Sequence, residues 1–399
     1  MTSAPEAPTP LAHLRVVEFS HMVMGPTCGL VLADLGADVV KVEPAPEGDS
    51  TRRLTGSGTG FYASFQRNRR SLCIDMKRPE GLALVRRLIA RADVMVENFR
   101  PGAMAKLVLD PGALRAEHPR LVTCSCKGFL PGPYAHRTAL DEVVQMMGGL
   151  AYMTGPVGKP QRAGSSVIDI MGGMAAAIGI LAALAERERT GLGRHVEAGL
   201  FESVALLMAQ HMAQTAITGV EPQPMSVRTP AWPVYDIFET ADGGQLFVGV
   251  VTDTQWPAFC AAFGLDDLAA DPGLATKAQR VAERHRTIPR VAAALRRHTR
   301  AELVAKCEAL GLPYAPIGRP AELFEDPHLN AGGLVTLTLP DGRTVKLPAL
   351  PLALDGRRPP LRHDLVPPGA DNDAIAAELG YAPAEIAALR AAGVLAGPG

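Results

Sequence analysis

Along the first third of the chain, short apolar runs alternate with stretches of helical periodicity. LRVVEF (Leu14–Phe19) reads as a strand, GPTCGLVLADLG as a helix, and ADVVKVE (Ala37–Glu43) as a second strand. After TGSGTG, which reads as a mobile loop, RRSLCIDM gives a third strand. GLALVRRLIARA (Gly81–Ala92) follows as an amphipathic helix, DVMVENF as a strand, PGAMAKL as a helix opened by proline, and RLVTCSC (Arg120–Cys126) as a strand. Strands separated by helices imply βαβ units and a mostly parallel sheet covered on both faces, the open α/β arrangement called Rossmann-like. In such sheets ligands sit beyond the carboxyl ends of the strands. Here those ends carry FSHMVMGP, KVEPAPEGD, VENFRPG and CKGFLPG.

The pattern changes after the long apolar stretch VIDIMGGMAAAIGILAALA (Val167–Ala185), which carries the single charge Asp169. Its length approaches the roughly 20 apolar residues of a membrane span. Its Ala/Gly content, the lack of flanking aromatics and the ERERTG that follows fit a helix buried in a protein core better. Helical character continues through FESVALLMAQHMAQTAI. VYDIFETADGGQLFVGVV then predicts a hairpin turning at Asp242-Gly243-Gly244. TQWPAFCAAFG, RHRTIPRVAAALRRH and RAELVAKCEALG are helical, so the stretch from about 225 to 325 reads as a small α+β domain. TLTLPDGRTVKLP forms another hairpin, and a Pro/Arg-rich linker leads into a short helical tail, NDAIAAELG and AEIAALRAAG.

The chain of 399 residues, 47% hydrophobic and 20% charged, has the composition of a globular protein of two or three domains and excludes global disorder. A net charge of −1 leaves no field of one sign to hold nucleic acid or an anionic membrane, so any anion site must be local. The six cysteines form no C-x-x-C, which argues against a zinc cluster or a disulfide framework and predicts no metal. Cys124 and Cys126, sharing one face of a strand, read as buried structural thiols. The N-terminus MTSAPEAPTPLAHLR lacks a basic start and an apolar signal core, so a cytoplasmic, reducing compartment is expected.

Phosphate-binding P-loop, G-x-G-x-x-G, G-x-S-x-G and H-E-x-x-H motifs are all missing, which removes the common nucleotide, hydrolase and zinc-peptidase readings. Asp169 stands out, between two isoleucines and just before Gly172-Gly173. It reads as a helix N-cap accepting backbone N–H bonds. It also reads as a carboxylate that the helix dipole keeps ionised, able to act as a nucleophile in an apolar setting. Gly172 and Gly173 leave room for a substrate or another chain segment to approach. His21 reads either as a loop histidine bonded to backbone or as a group with a chemical role. Arg52, Arg53, Lys77, Arg100, Lys106, Lys127 and Arg137 are either solvated surface or, gathered at one sheet edge, a holder for a polyphosphate.

LRVVEFSHMVMGP, LADLGADVVKVEPAPEGD, NRRSLCIDMKRPEG, ADVMVENFRPGAM, KGFLPGPY and IDIMGGMAAAIGILAALAERERTGLGRHVE resemble the class III coenzyme A transferases over nearly the whole chain. That family includes formyl-CoA and carnitine CoA-transferases and α-methylacyl-CoA racemase. The resemblance implies that Asp169 is a nucleophile forming an aspartyl anhydride and an aspartyl-CoA thioester, that no cofactor is tightly bound, and that acyl-CoA and a carboxylic acid are the substrates, with succinyl-CoA as the expected donor. It assigns CoA contacts to Met22, Val23, Lys77, Asn98, Phe99, Lys106 and Arg137. Pro44 stands where formyl-CoA transferase has arginine, and Arg52 offers a substitute charge. The resemblance also implies an interlocked homodimer. The large CoA-binding domain would comprise 1–205 and 330–399, the small domain 225–325, and the linkers 205–225 and 325–332. The alternatives are a racemase of the same family and a non-catalytic acyl-CoA-binding protein. The racemases carry a histidine in G-H-D-I-N-Y; this chain has ALDEVVQ, with Leu140 at the histidine position, and leucine accepts no proton. The glycine-rich loop of formyl-CoA transferase has no counterpart in VRTPAWPVYDIF. Arg228 and Trp232 read as candidate contacts for an acyl group or as surface and packing residues.

Overall fold

The computed structural model describes residues 9–228 and 230–398. The first eight residues, on which much of the reading of the N-terminus rests, lie outside the described residues, as does Thr229 within VRTPAWPVYDIF. The chain divides into two compact units, Met1–Ser226 with Pro327–Gly399, and Val227–Asp326.

In the first unit, β1 (Arg15–Phe19), β2 (Asp38–Pro44), β3 (Arg69–Ile74), β4 (Val94–Glu97), β5 (Val122–Lys127) and β6 (His195–Gly199) form one six-stranded sheet in the order β3-β2-β1-β4-β5-β6. All five pairings are parallel. The expected strands supply β1 to β5. β6 escaped the sequence reading because its residues HVEAG offer little apolar pattern at a half-exposed edge. Period-two alternation assigns the two sheet faces. Val16, Val39, Val94, Val96 and Cys124 face α1 (Met24–Asp34) and the long helix Val167–Thr190. Val17, Val40, Val42, Leu72 and Met95 face Leu84, Val85, Leu88 and Ile89 of the helix Pro79–Ile89.

The helix Val167–Thr190 is, among the described residues, the one long and apolar enough to cross a membrane. It packs instead against α1, β5 and β6 as a core helix. Gly173 makes that crossing possible: a Cβ there would lie 2.4 Å from the Met24 carbonyl oxygen and 2.6 Å from Thr27 Cβ. The room left by this glycine pair is therefore taken by the chain itself, not by a substrate. The stretch read as a mobile loop winds into a 3₁₀ turn, Gly56–Gly58, followed by the short helix α2 (Phe61–Phe65).

The chain returns to the sheet at its C-terminal end. Asp371 Oδ2 and Asn372 Oδ1 accept the N–H groups of Ser71 and Cys73, which closes the outer edge of β3. Ile375, Ile386 and Leu389 of the tail join the core on that side. The second unit holds β7 (Val234–Glu239), β8 (Gln245–Val250) and β9 (Tyr314–Pro316) as an antiparallel sheet. Helices Gln255–Phe263, Arg284–Leu295 and Arg300–Ala309 supply its core with Phe259, Leu295 and Leu303. The second expected hairpin is present as β10 (Leu334–Thr338) and β11 (Thr344–Pro348).

Candidate active site

β1 and β4 are neighbours whose chains leave in opposite directions across the sheet, so their carboxyl ends flank a topological switch point. Asn98, just after β4, bridges that gap. Its Oδ1 accepts the His21 N–H at 3.1 Å and its Nδ2 donates to the His21 carbonyl at 2.8 Å. Gly25 permits this closeness, since a Cβ there would lie 2.5 Å from Ser20 Cβ and 3.0 Å from Asn98 Cγ. On the β5 side, Lys127 Nζ lies 2.5 Å from the buried Glu97 carboxylate and donates to the Phe99 carbonyl at 3.0 Å. The Phe99 N–H donates to the other Glu97 oxygen at 2.9 Å. The Asn98-Phe99 turn is thus clamped from both sides.

These turns enclose a cavity of about 500 Å³ that contains Asp169 together with Met22, Val23, Asn98, Phe99 and Arg137. The Arg137 guanidinium lies 5.0 Å from the centroid of the Tyr134 ring and faces solvent. A second cavity of about 330 Å³, beside the first, shares His21 and Phe99 and adds Pro44, Gly48, Arg53 and Met76. Burial holds His21 below its usual range, which leaves a neutral ring there at pH 7. The thiols of Cys28, Cys124 and Cys126 are buried and pushed well up; Cys126 forms part of the cavity floor.

Three of the expected contact residues lie outside both cavities. Arg52 is committed elsewhere: Nε and Nη2 grip the fully buried Glu43 carboxylate at 2.8 and 2.6 Å, Nη1 donates to the Val366 carbonyl, and the guanidinium covers the Tyr62 ring at 4.0 Å. It therefore has no free face for a phosphate, and its neighbour Arg53 borders the second cavity instead. Lys77 and Lys106 are exposed surface residues.

Asp169 is the third residue of the core helix, not its N-cap, which is Ser166. Capping comes from a distance: Asp141, first residue of the helix Asp141–Met147, accepts the N–H groups of Ile168 and Asp169 on Oδ2 at 2.8 and 3.1 Å. Its Oδ1 accepts from Gln145, whose own carbonyl oxygen takes the Ala163 N–H at 2.8 Å. The expectation that the helix terminus keeps Asp169 ionised is corrected by this arrangement. Burial, then the negative charges of Asp141 and Glu142, raise the Asp169 carboxyl from its ordinary 3.8 to about 7. The donors that would have lowered it are occupied by another carboxylate. Sequence reasoning missed Asp141 as a site residue because capping across 27 positions leaves no local signal.

Comparison with known proteins settles the family. The sequence profile described as CoA-transferase family III matches residues 11–372. The succinate–glutarate CoA-transferase of Agrobacterium fabrum is 35% identical over 377 residues, covering 91% of this chain and 94% of that protein. This chain belongs to CoA-transferase family III. The succinyl-CoA–D-citramalate CoA-transferase of Chloroflexus aurantiacus is 34% identical, with 82% of this chain and 83% of that one covered. A crystal structure of a CAIB/BAIF family protein from Brucella suis matches with a TM-score of 0.82 and 34% identity, over 93% of this chain and 100% of that one. As a family III CoA-transferase the protein acts on CoA thioesters and carboxylic acids. Leu140, 61% exposed at the cavity rim, offers no base for proton abstraction.

Proposed function

We propose that this enzyme transfers CoA from succinyl-CoA to a second carboxylic acid through covalent intermediates on Asp169. The observation that carries the reading is the position of Asp169 in the same cavity as Met22, Val23, Asn98, Phe99 and Arg137. A pantetheine arm entering between the β1 and β4 turns brings its thioester to that carboxylate, with Arg137 as the exposed cation for the phosphates. Lys77 and Lys106 lie outside this cavity, so a contact from them to the nucleotide end rests on the family resemblance alone. The names of the Chloroflexus and Agrobacterium relatives favour succinate as the acid released from the donor.

In the reaction, an Asp169 carboxylate oxygen attacks the thioester carbonyl; the C–S bond breaks, leaving a mixed anhydride and CoA thiolate. The thiolate attacks the aspartyl carbonyl, releases the first acid as its carboxylate and forms an aspartyl-CoA thioester. The incoming carboxylate repeats the sequence in reverse: it displaces thiolate to give a new anhydride, and the thiolate then takes the acyl group and restores Asp169. The steps alternate a carboxylate and a thiolate as nucleophile, so each must be shielded and held beside the other's carbonyl, which is the proximity a walled cavity provides. The lifted Asp169 carboxyl has a use here, since a more basic carboxylate is a better nucleophile once ionised.

We also propose a cytoplasmic homodimer; the dimer is supported by large apolar side chains left at the surface, Ile178, Leu206, Met212 and Ile217, all more than 60% exposed. To test the chemistry, enzyme incubated with succinyl-CoA and quenched with hydroxylamine or borohydride is digested and weighed. A modified Asp169 peptide is expected, and none in Asp169→Ala, which should also be inactive with glutarate, citramalate, mesaconate and malate as acceptors. An unmodified peptide from an actively transferring enzyme would refute the covalent route.

A further inference from the structure

The turn that leaves β1 is held by groups the transfer chemistry does not use. Met22 has φ 62°, a left-handed conformation that side chains of its type rarely adopt and that persists only where the surroundings enforce it. Its N–H donates to Thr51 Oγ1 at 2.9 Å. The Thr51 hydroxyl has a single proton, which it donates to Asp49 Oδ1 at 2.7 Å, so its lone pair is left to face Met22. The same Asp49 oxygen accepts the Thr51 N–H at 2.8 Å. Asp49 Oδ2 lies 3.0 Å from Lys41 Nζ, and that ammonium donates to the Ser20 carbonyl at 2.6 Å. A closed circuit results, in which β2 and the loop after it grip the backbone on both sides of His21.

Both ions are buried, Lys41 at 1% exposure and Asp49 at 4%. A buried ion pair contributes little net stability, because desolvation offsets most of the attraction. What the pair does supply is direction: it fixes the one hydroxyl that holds Met22. We propose that Lys41, Asp49 and Thr51 form a positioning relay that locks Met22 in its left-handed conformation and so sets the wall of the acyl-CoA cavity before substrate arrives. This rests on the reading of the cavity around Asp169 as the acyl-CoA site. Without the hydroxyl acceptor, Met22 relaxes, the turn into α1 loosens, and CoA must reorder it on binding.

Thr51→Val removes the acceptor with little change of shape, and Thr51→Ser keeps it. Pre-organisation of this kind predicts a dissociation constant for free coenzyme A that rises about tenfold in Thr51→Val, with kcat at saturating donor held within about twofold. Amide exchange at the Met22 peptide accelerates in the same variant. Thr51→Ser stays near wild type in all three measurements. Should Thr51→Val not fold, Thr51→Ala is read the same way. Unchanged CoA affinity in the hydroxyl-free variant, or a serine variant as impaired as the valine one, overturns the relay alone. A wild-type enzyme that does not bind coenzyme A overturns the cavity reading and the relay with it.

Discussion

Asp169 and Asp141 form a pair of carboxylates with divided tasks. Both border the cavity, but Asp141 is occupied by the backbone donors of the helix that carries Asp169. The attacking form is the ionised one, so kcat/KM for the acyl-CoA is expected to rise with pH through about 7 and then level off. Asp141→Asn keeps an acceptor for both N–H groups and removes the charge, so the midpoint of that rise moves to lower pH. A profile identical to wild type would show that Asp141 does not set the basicity of Asp169. Arg52 supports a contrasting expectation. Arg52→Met leaves Glu43 buried without its cation, a loss worth about 3 kcal/mol by urea denaturation. Because the guanidinium lies outside both cavities, the folded fraction should bind coenzyme A as tightly as wild type; a selective loss of affinity would return Arg52 to the binding site.

Among the elements, the crossing of α1 and the core helix decides how close the cavity's two walls come. Alanine gains about 1 kcal/mol over glycine in helix propensity. At Gly173 the added methyl meets the Met24 backbone carbonyl at 2.4 Å, which cannot rotate away. The clash prevails, and Gly173→Ala should lower stability by about 2–3 kcal/mol in denaturant titrations. Gly179→Ala meets only a Val196 methyl at 2.6 Å and should cost clearly less. Equal effects would mean that the two helices separate freely.

For the whole molecule, the proposed homodimer accounts for apolar side chains such as Ile217, 83% exposed on the helix Ala209–Thr218. Sedimentation velocity at nanomolar concentration is expected to give twice the 42.1 kDa chain mass. Active, folded monomers under those conditions would rule it out.

Much of this architecture was written in local pattern. The short apolar runs around Val16–Val17 and Val39–Val40, buried on both faces, mark strands, and the β-α alternation marks the parallel sheet with its ligand end. Asp169 stood out because one charge in a long apolar helix is conspicuous by itself. What the chain could not express locally, the tertiary structure decided: that Arg52 serves Glu43, that Gly173 admits α1, and that Asp141 caps a helix far along the chain. Each depends on which distant group occupies the neighbouring space. A side chain's charge is fixed by its covalent structure, but its partner, and therefore its basicity and its availability to a substrate, exists only once the chain has folded around it.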